Sequence, residues 1–204
     1  MSNDKAAAPA NLRYVQYDPS KEELYMAAIR QLISKDLSEP YSIYVYRYFL
    51  YTWGHLCYMA LDDADNLTGV VVCKLEPHRN GPLRGYIAML ATREEYRGKG
   101  IGTKLERLAI DAMNAEDADE VSHIRPQQLA LPVIQYSFSR QIVLETEVTN
   151  TASLRVYERL GFLRSKRLHR YYLDGNTAFR LVLYLKDPAE WQSRAGLMQD
   201  PPSA

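Results

Sequence analysis

The stretch Glu94 to Ile110, EEYRGKGIGTKLERLAI, restricts the fold more than any other part of the chain. Arg97 to Gly102 packs three glycines and two cations into six residues and runs into a helical pattern without a break. The residues before it, LRGYIAMLATR, alternate as a strand, so the loop joins a strand to a helix. Gly98, Gly100 and Gly102 let successive N–H groups converge, and the helix start behind them adds partial positive charge. Such a site suits a pyrophosphate. A P-loop would need GxxxxGK[ST], which is absent, and a Rossmann loop would need GxGxxG inside a parallel βαβ unit, whereas the upstream strands read as antiparallel. A glycine-rich connection with solvated charges is the plain alternative.

The rest of the chain supplies one domain around this loop. A length of 204 residues, 47% hydrophobic, allows a single core, and 25 basic against 25 acidic residues argues against a general nucleic-acid binder. Neither a leader nor a run long enough to span a membrane is expected, so the reading is a soluble, cytoplasmic protein. Cys57, Cys73 and four histidines lack metal-ligand spacing, and no metal is expected. Residues 1–10 and 188–204 read as loose tails and 11–187 as the domain.

Leu12 to Asp18 alternates like a strand. A helix follows, with Ser20 as its N-cap and Glu23 three residues on. Tyr41 to Trp53 is apolar or aromatic almost all round, which predicts burial on more than one side, in this domain or beneath a partner. CYMALDD, LTGVVVCKLEP and LRGYIAMLATR then form an antiparallel meander. Ile101, Leu105, Leu108, Ala109, Ala112 and Met113 share a helix face. IVLETEV is a strand, NTASLRVYERLGF a helix capped by Asn150 and Gly161, and two strands around Asp174-Gly175 complete the domain.

In this context Arg97-Gly98-Lys99-Gly100-Ile101-Gly102 resembles the R/Q-x-x-G-x-G/A pyrophosphate loop of the GNAT acetyltransferase superfamily. LSEPYSIYVYRYFL, YIAMLATREEYRGKGIGTKL, VLETEVTNTASLRVYERLGF and HRYYLDG with AFRLVLYL more closely resemble the catalytic subunits of NatC-type N-terminal acetyltransferases. The resemblance implies an α/β (α+β) GNAT fold, a mixed, mainly antiparallel seven-stranded sheet with about four helices. It implies acetyl transfer from acetyl-CoA to nascent protein N-termini that begin with Met and a bulky apolar residue. It also implies a heterotrimer with large and small auxiliary subunits, ribosome association through those partners, and no direct contact with nucleic acid or membrane.

Attack on a thioester requires a neutral amine, and an α-amine with pKa about 7.7 to 8.0 is largely protonated at neutral pH, so a base helps. Period-2 alternation puts Glu145 and Glu147 on one strand face. By its place in the motif Glu145 resembles the general base; a surface ion pair is the alternative. Tyr157 matches the general acid that protonates the leaving thiolate, and with Leu154 and Leu160 as neighbours it also reads as a core aromatic. Tyr86 matches a tyrosine that holds or deprotonates the incoming amine.

For acetyl-CoA the resemblance implies backbone contacts from Met89, Leu90 and Ala91, the loop Arg97, Gly98, Lys99, Gly100, Ile101, Gly102 and Thr103, and Asn150, which also reads as the N-cap. For the peptide it implies Leu37, Glu39, Pro40, Tyr41 and Tyr44 on one side and Tyr171 and Tyr172 on the other. A lysine-directed GNAT enzyme and a silent CoA-binding scaffold remain as alternatives.

Val121 to Gln141 departs from the family pattern, in which DADE runs almost directly into a VVLE or IVLE sequence. It reads as a retained intron: Val-Ser can be written GTGAGT, a splice donor, and Gln as CAG, an acceptor. Removing it rejoins DADE to IVLE in frame. A genuine surface insertion is the rival.

Overall fold

The computed structural model describes residues 11–36, 41–78, 83–123 and 141–185. The strands are β1 (Arg13–Gln16), β2 (Tyr58–Leu61), β3 (Leu67–Pro77), β4 (Leu83–Thr92), β5 (Gln141–Glu147), β6 (Leu163–Leu168) and β7 (Ala178–Tyr184). The helices are α1 (Glu22–Asp36), α2 (Ile43–Trp53), α3 (Ile101–His123) and α4 (Thr151–Arg159). The strands form one mixed sheet in the order β1-β2-β3-β4-β5-β7-β6. All neighbours are antiparallel except β4 and β5. The expected fold class is therefore found. β4, α3 and β5 do form a parallel crossover, so the antiparallel meander upstream was no ground for setting a Rossmann-type unit aside; the loop's own glycine spacing is.

Helices cover both faces of the sheet, and this explains the unbroken apolar run in β3. Val71 and Cys73 face the α3 and α4 side, while Val70 and Val72 face α1 and α2. Ile101, Leu105, Ala109, Ile110 and Met113 anchor α3, and each large apolar side chain so buried contributes roughly 1.5 to 3 kcal/mol. The buried stripe is rotated from the one expected. Leu108 and Ala112 are half-buried, and Glu106 lies fully buried within the stripe.

Two further details differ from expectation. Asp18, rather than Ser20, caps the first helical turn: its Oδ1 accepts from Ser20 N at 2.9 Å, and the short 3-10 segment Pro19–Lys21 leads into α1. In α2 only Tyr46, Phe49 and Leu50 are buried, whereas Tyr44, Tyr48 and Tyr51 are exposed, so burial is one-sided. Asn150 does cap α4, accepting from Ser153 N at 3.1 Å, and Gly161 takes a φ of 93° just past its end.

A bulge in β4 shapes the site. Val72 pairs with Met89 but Cys73 with Ile87, which leaves Ala88 without a counterpart. The extra residue reverses the alternation: Ile87 packs on the α3 side, Met89 and Ala91 on the α1 side. A bulged strand bends. β4 pairs with β5 only from Arg84 to Tyr86, opposite Gln141 to Val143, and then the two strands part. Of the segment Val121–Gln141, α3 continues to His123 and β5 opens at Gln141; 124–140 lie outside the described residues, as do the expected tails 1–10 and 188–204.

Candidate active site

Where β4 and β5 separate, a cavity of about 640 Å³ opens, lined by Ile87 to Leu90 of β4, Glu145 to Glu147 of β5, Asn150, Tyr157, Tyr41, Tyr171 and Tyr172. A second cavity of about 410 Å³ is lined by the glycine loop and by Ala152, Val156 and Arg159 of α4. The two share Leu90, Asn150 and Ser153 and so form one groove. It runs from the glycine loop, along the unpaired edge of β4, to Glu145.

At its floor Glu145 has only 5% of its side chain exposed. Arg180 Nε donates to Oε1 at 2.7 Å, and Tyr86 Oη donates to Oε2 at 2.9 Å. Arg180 sits directly opposite Glu145 in the β5–β7 ladder, so the ion pair follows from register. Glu145 is therefore ion-paired, though buried and with an arginine rather than on the surface, and it also lines the groove. Each carboxylate oxygen retains acceptor capacity for a further donor. Burial, and next the Glu145 carboxylate, raise the Tyr86 pKa well above its ordinary value. Tyr86 therefore keeps its proton and donates it in the hydrogen bond to Glu145.

Tyr157 comes from the opposite face of the sheet. It belongs to the α3–α4 core beside Leu154 and Leu160, meets Phe162 edge-on at 5.7 Å, and still borders the groove. The core reading and the groove reading hold together. Burial, then Glu106, pushes its phenol pKa upward, so it carries a proton at neutral pH.

In the glycine loop Gly98 and Gly100 adopt φ of 75° and 77°, and nothing lies within 4 Å of where a Cβ would be. The loop thus keeps an open cradle of backbone N–H groups at the start of α3, where an anion is favoured. Arg97, Gly98, Gly100, Ile101, Gly102 and Thr103 line this end, as do Leu90 and Ala91, while Met89 lines the Glu145 end. Ile101 is 1% exposed, so its side chain serves the core. Lys99 is outside the lining and places its Nζ over the Tyr96 ring at 5.3 Å. Asn150 lines both cavities while its Oδ1 caps α4.

Tyr41, Tyr171 and Tyr172 form the groove's outer wall, and Tyr171 meets Tyr172 edge-on at 5.1 Å. Tyr44 does not join them: it is 75% exposed and outside the lining, because its place in α2 turns it to the outer face. Leu37, Glu39 and Pro40 lie outside the described residues.

Sequence reasoning missed Arg180, Arg159 and the bulge at Ala88. Arg180 was detectable as a lone cation within the apolar strand AFRLVLYL. Arg159 falls four residues after Arg155 on α4, but choosing between them needs the helix orientation. Nothing in YIAML marks a bulge.

The Acetyltransferase (GNAT) family pattern matches residues 26–131. N-alpha-acetyltransferase 30 of Schizosaccharomyces pombe is 51% identical over 160 residues, 78% of this chain and 92% of that protein. The Xenopus laevis protein of the same name is 49% identical over 86% of this chain, which spans about half of it, 55%. Among solved structures, a chain in the crystal structure of the NatC complex bound to Gag peptide and CoA is similar. Its TM-score is 0.73 and its identity 45%, over 86% of this chain and 99% of that one. The glycine cradle, the parted strands and these matches lead to one assignment: the chain belongs to the GNAT acetyltransferase family.

Proposed function

We propose that the chain is the catalytic subunit of a NatC-like protein N-α-acetyltransferase. It transfers acetyl from acetyl-CoA to the N-terminal amine of cytoplasmic proteins that begin with Met followed by a bulky hydrophobic residue. The observation that carries this reading is the gap through the sheet between β4 and β5, which brings Glu145 from one face and Tyr157 from the other to a single groove. Two substrates entering from opposite faces can meet there. Similarity to N-alpha-acetyltransferase 30 and to the NatC chain supports the subunit assignment.

Acetyl-CoA supplies the activated acetyl group. The glycine cradle and the α3 N-terminus suit its pyrophosphate, with Arg97 and Arg159 lining the same end. The unpaired β4 edge from Ile87 to Leu90 offers backbone groups to the pantetheine arm and N–H donors to the developing oxyanion, where preorganised dipoles act without reorganisation.

The peptide enters between Tyr41 and the Tyr171–Tyr172 pair. Tyr86 and Arg180 fix the Glu145 carboxylate, which takes a proton from the incoming ammonium, directly or through water. The neutral amine attacks, its nitrogen releases its second proton to water in the groove as the amide forms, and Tyr157 gives its proton to the leaving sulfur. A free thiol of pKa about 8.5 and a free phenol of about 10 differ little, but burial raises Tyr157 further, so it first donates a hydrogen bond to the sulfur, and the transfer needs its phenolate to be stabilised.

The exposed aromatic face of α2, Tyr44, Tyr48 and Tyr51, is consistent with cover by an auxiliary subunit, through which ribosome association would come. The reading is tested with a panel of N-terminal peptides and acetyl-CoA, with and without auxiliary subunits. Preference for Met-Leu, Met-Ile, Met-Phe and Met-Trp is expected; equal use of Ser- or Ala-starting peptides would contradict it.

A further inference from the structure

The acetyltransferase reading makes no use of the one carboxyl group buried in the heart of the α3 stripe. Glu106 is 0% exposed, and neither of its oxygens makes a hydrogen bond of full geometry; the Tyr157 hydroxyl is the group that comes near enough to act on the carboxyl as a hydrogen-bond partner. It lies between Leu105 and the buried residues Ala109 and Ile110 of its own helix, on the side that packs against the sheet and α4. The titratable groups that face it are the Tyr157 hydroxyl from α4 and the Cys73 thiol from β3, themselves 6% and 0% exposed. Among the described residues no cation forms an ion pair with it. An ionised carboxylate in such surroundings is strongly disfavoured, and it avoids the penalty by keeping its proton. Burial is the main cause that lifts this carboxyl well above its ordinary range.

We propose that Glu106 is held as a neutral carboxylic acid and acts as a positioning residue for Tyr157, donating a hydrogen bond to the phenol oxygen. The proposal rests on the reading of Tyr157 as the acid that protonates the leaving thiolate. When Tyr157 gives its proton to sulfur, its oxygen becomes negative in a buried setting. An ionised Glu106 would oppose that charge, whereas a neutral O–H aimed at it favours it. Glu106 keeps its own proton throughout, and the phenolate regains one from water in the groove after the products leave. A supporting O–H beneath Tyr157 also fixes the ring's hydroxyl.

The test uses the chain in whatever assembly gives wild-type turnover, with Glu106→Leu, Glu106→Gln, Tyr157→Phe and the Glu106→Leu/Tyr157→Phe double variant. Glu106→Leu is expected to lower kcat by about tenfold or more with KM for acetyl-CoA unchanged, while Glu106→Gln, which still donates, stays within about threefold of wild type. In the Tyr157→Phe background Glu106→Leu should change kcat by less than about twofold. An equal loss in both backgrounds, an unaffected Glu106→Leu, or a Glu106→Gln as impaired as Glu106→Leu overturns the proposal. Should Glu106→Leu fail to fold, infrared spectroscopy decides. A C=O band of a protonated carboxyl at neutral pH, present in wild type and lost in Glu106→Gln, supports the proposal; its absence from wild type overturns it. This arm needs no turnover, so wild-type protein that never acetylates would refute the enzymatic reading while still reporting the state of Glu106.

Discussion

Tyr86 donates to Glu145 Oε2 at 2.9 Å across the mouth of the gap between β4 and β5. With Arg180 on the other oxygen, the carboxylate is fixed at both ends and cannot swing away from the groove. Replacing Glu145 by Gln preserves shape, turns one of its two acceptors into a donor and removes the proposed base. A fall in kcat of about 10²- to 10⁴-fold is expected, with KM for acetyl-CoA little changed. Arg180→Leu removes the fixing partner only, and because that guanidinium is partly exposed the loss should be smaller, about tenfold or less. Steady-state kinetics of the two variants side by side test this order.

The loop glycines make a separate prediction. At Gly100 the left-handed φ of 77° strains any other residue although the space is open, so Gly100→Ala should cost about 1 to 2 kcal/mol in the loop conformation. KM for acetyl-CoA should rise about tenfold with kcat retained. Gly102 has no positive φ, and a Cβ there would meet Leu90 Cδ2 at an ordinary 3.8 Å. Gly102→Ala should therefore leave the melting temperature unchanged, and any loss it causes will appear in CoA affinity alone. Calorimetric titration with CoA separates the two cases.

Glu106 makes stability depend on pH. Its folded-state pKa is raised by burial, so the native chain binds a proton that the unfolded chain releases. This contribution to stability is complete below the unfolded carboxyl pKa of about 4.3 and is lost as pH rises through the folded value. Across that interval wild type should lose about 1.4 kcal/mol per pH unit relative to Glu106→Gln. Urea unfolding of both proteins at several pH values reads the difference; parallel stability curves would contradict it.

The outer wall should govern the peptide and not the acetyl donor. Tyr41 and Tyr171 line the end of the groove away from the glycine loop. Tyr41→Ala and Tyr171→Ala are expected to raise the peptide KM by about tenfold each and to leave CoA affinity unchanged. Equal effects on both substrates would place the tyrosines elsewhere in the reaction.

Much of the fold was legible because its signals are local. The glycine loop, the Asn150 cap and the Gly161 stop each need only a few adjacent residues, and β3 announces its burial on both faces through LTGVVVC. The site was less legible because its geometry is long-range. Arg180 meets Glu145 only once β7 has inserted between β5 and β6, and the separation of β4 from β5 depends on a bulge at an ordinary alanine. Glu106 was overlooked for a different reason. A carboxylate is normally assigned to the solvent face, and that choice turned the expected α3 stripe toward Leu108. The segment 121–141 is a question for the transcript: a message lacking it supports the retained intron, and its presence in active protein opposes it.

Acetyl transfer to an α-amine at the gap between β4 and β5 is the proposed reaction. The most direct measurement is mass-spectrometric localisation of the acetyl group on a Met-Leu peptide that also carries an internal lysine, incubated with acetyl-CoA and the chain in its complex. Acetylation of the α-amine alone, abolished by Glu145→Gln, is the predicted result. Acetylation of the lysine with a free N-terminus, or α-amine acetylation undiminished in Glu145→Gln, would contradict it.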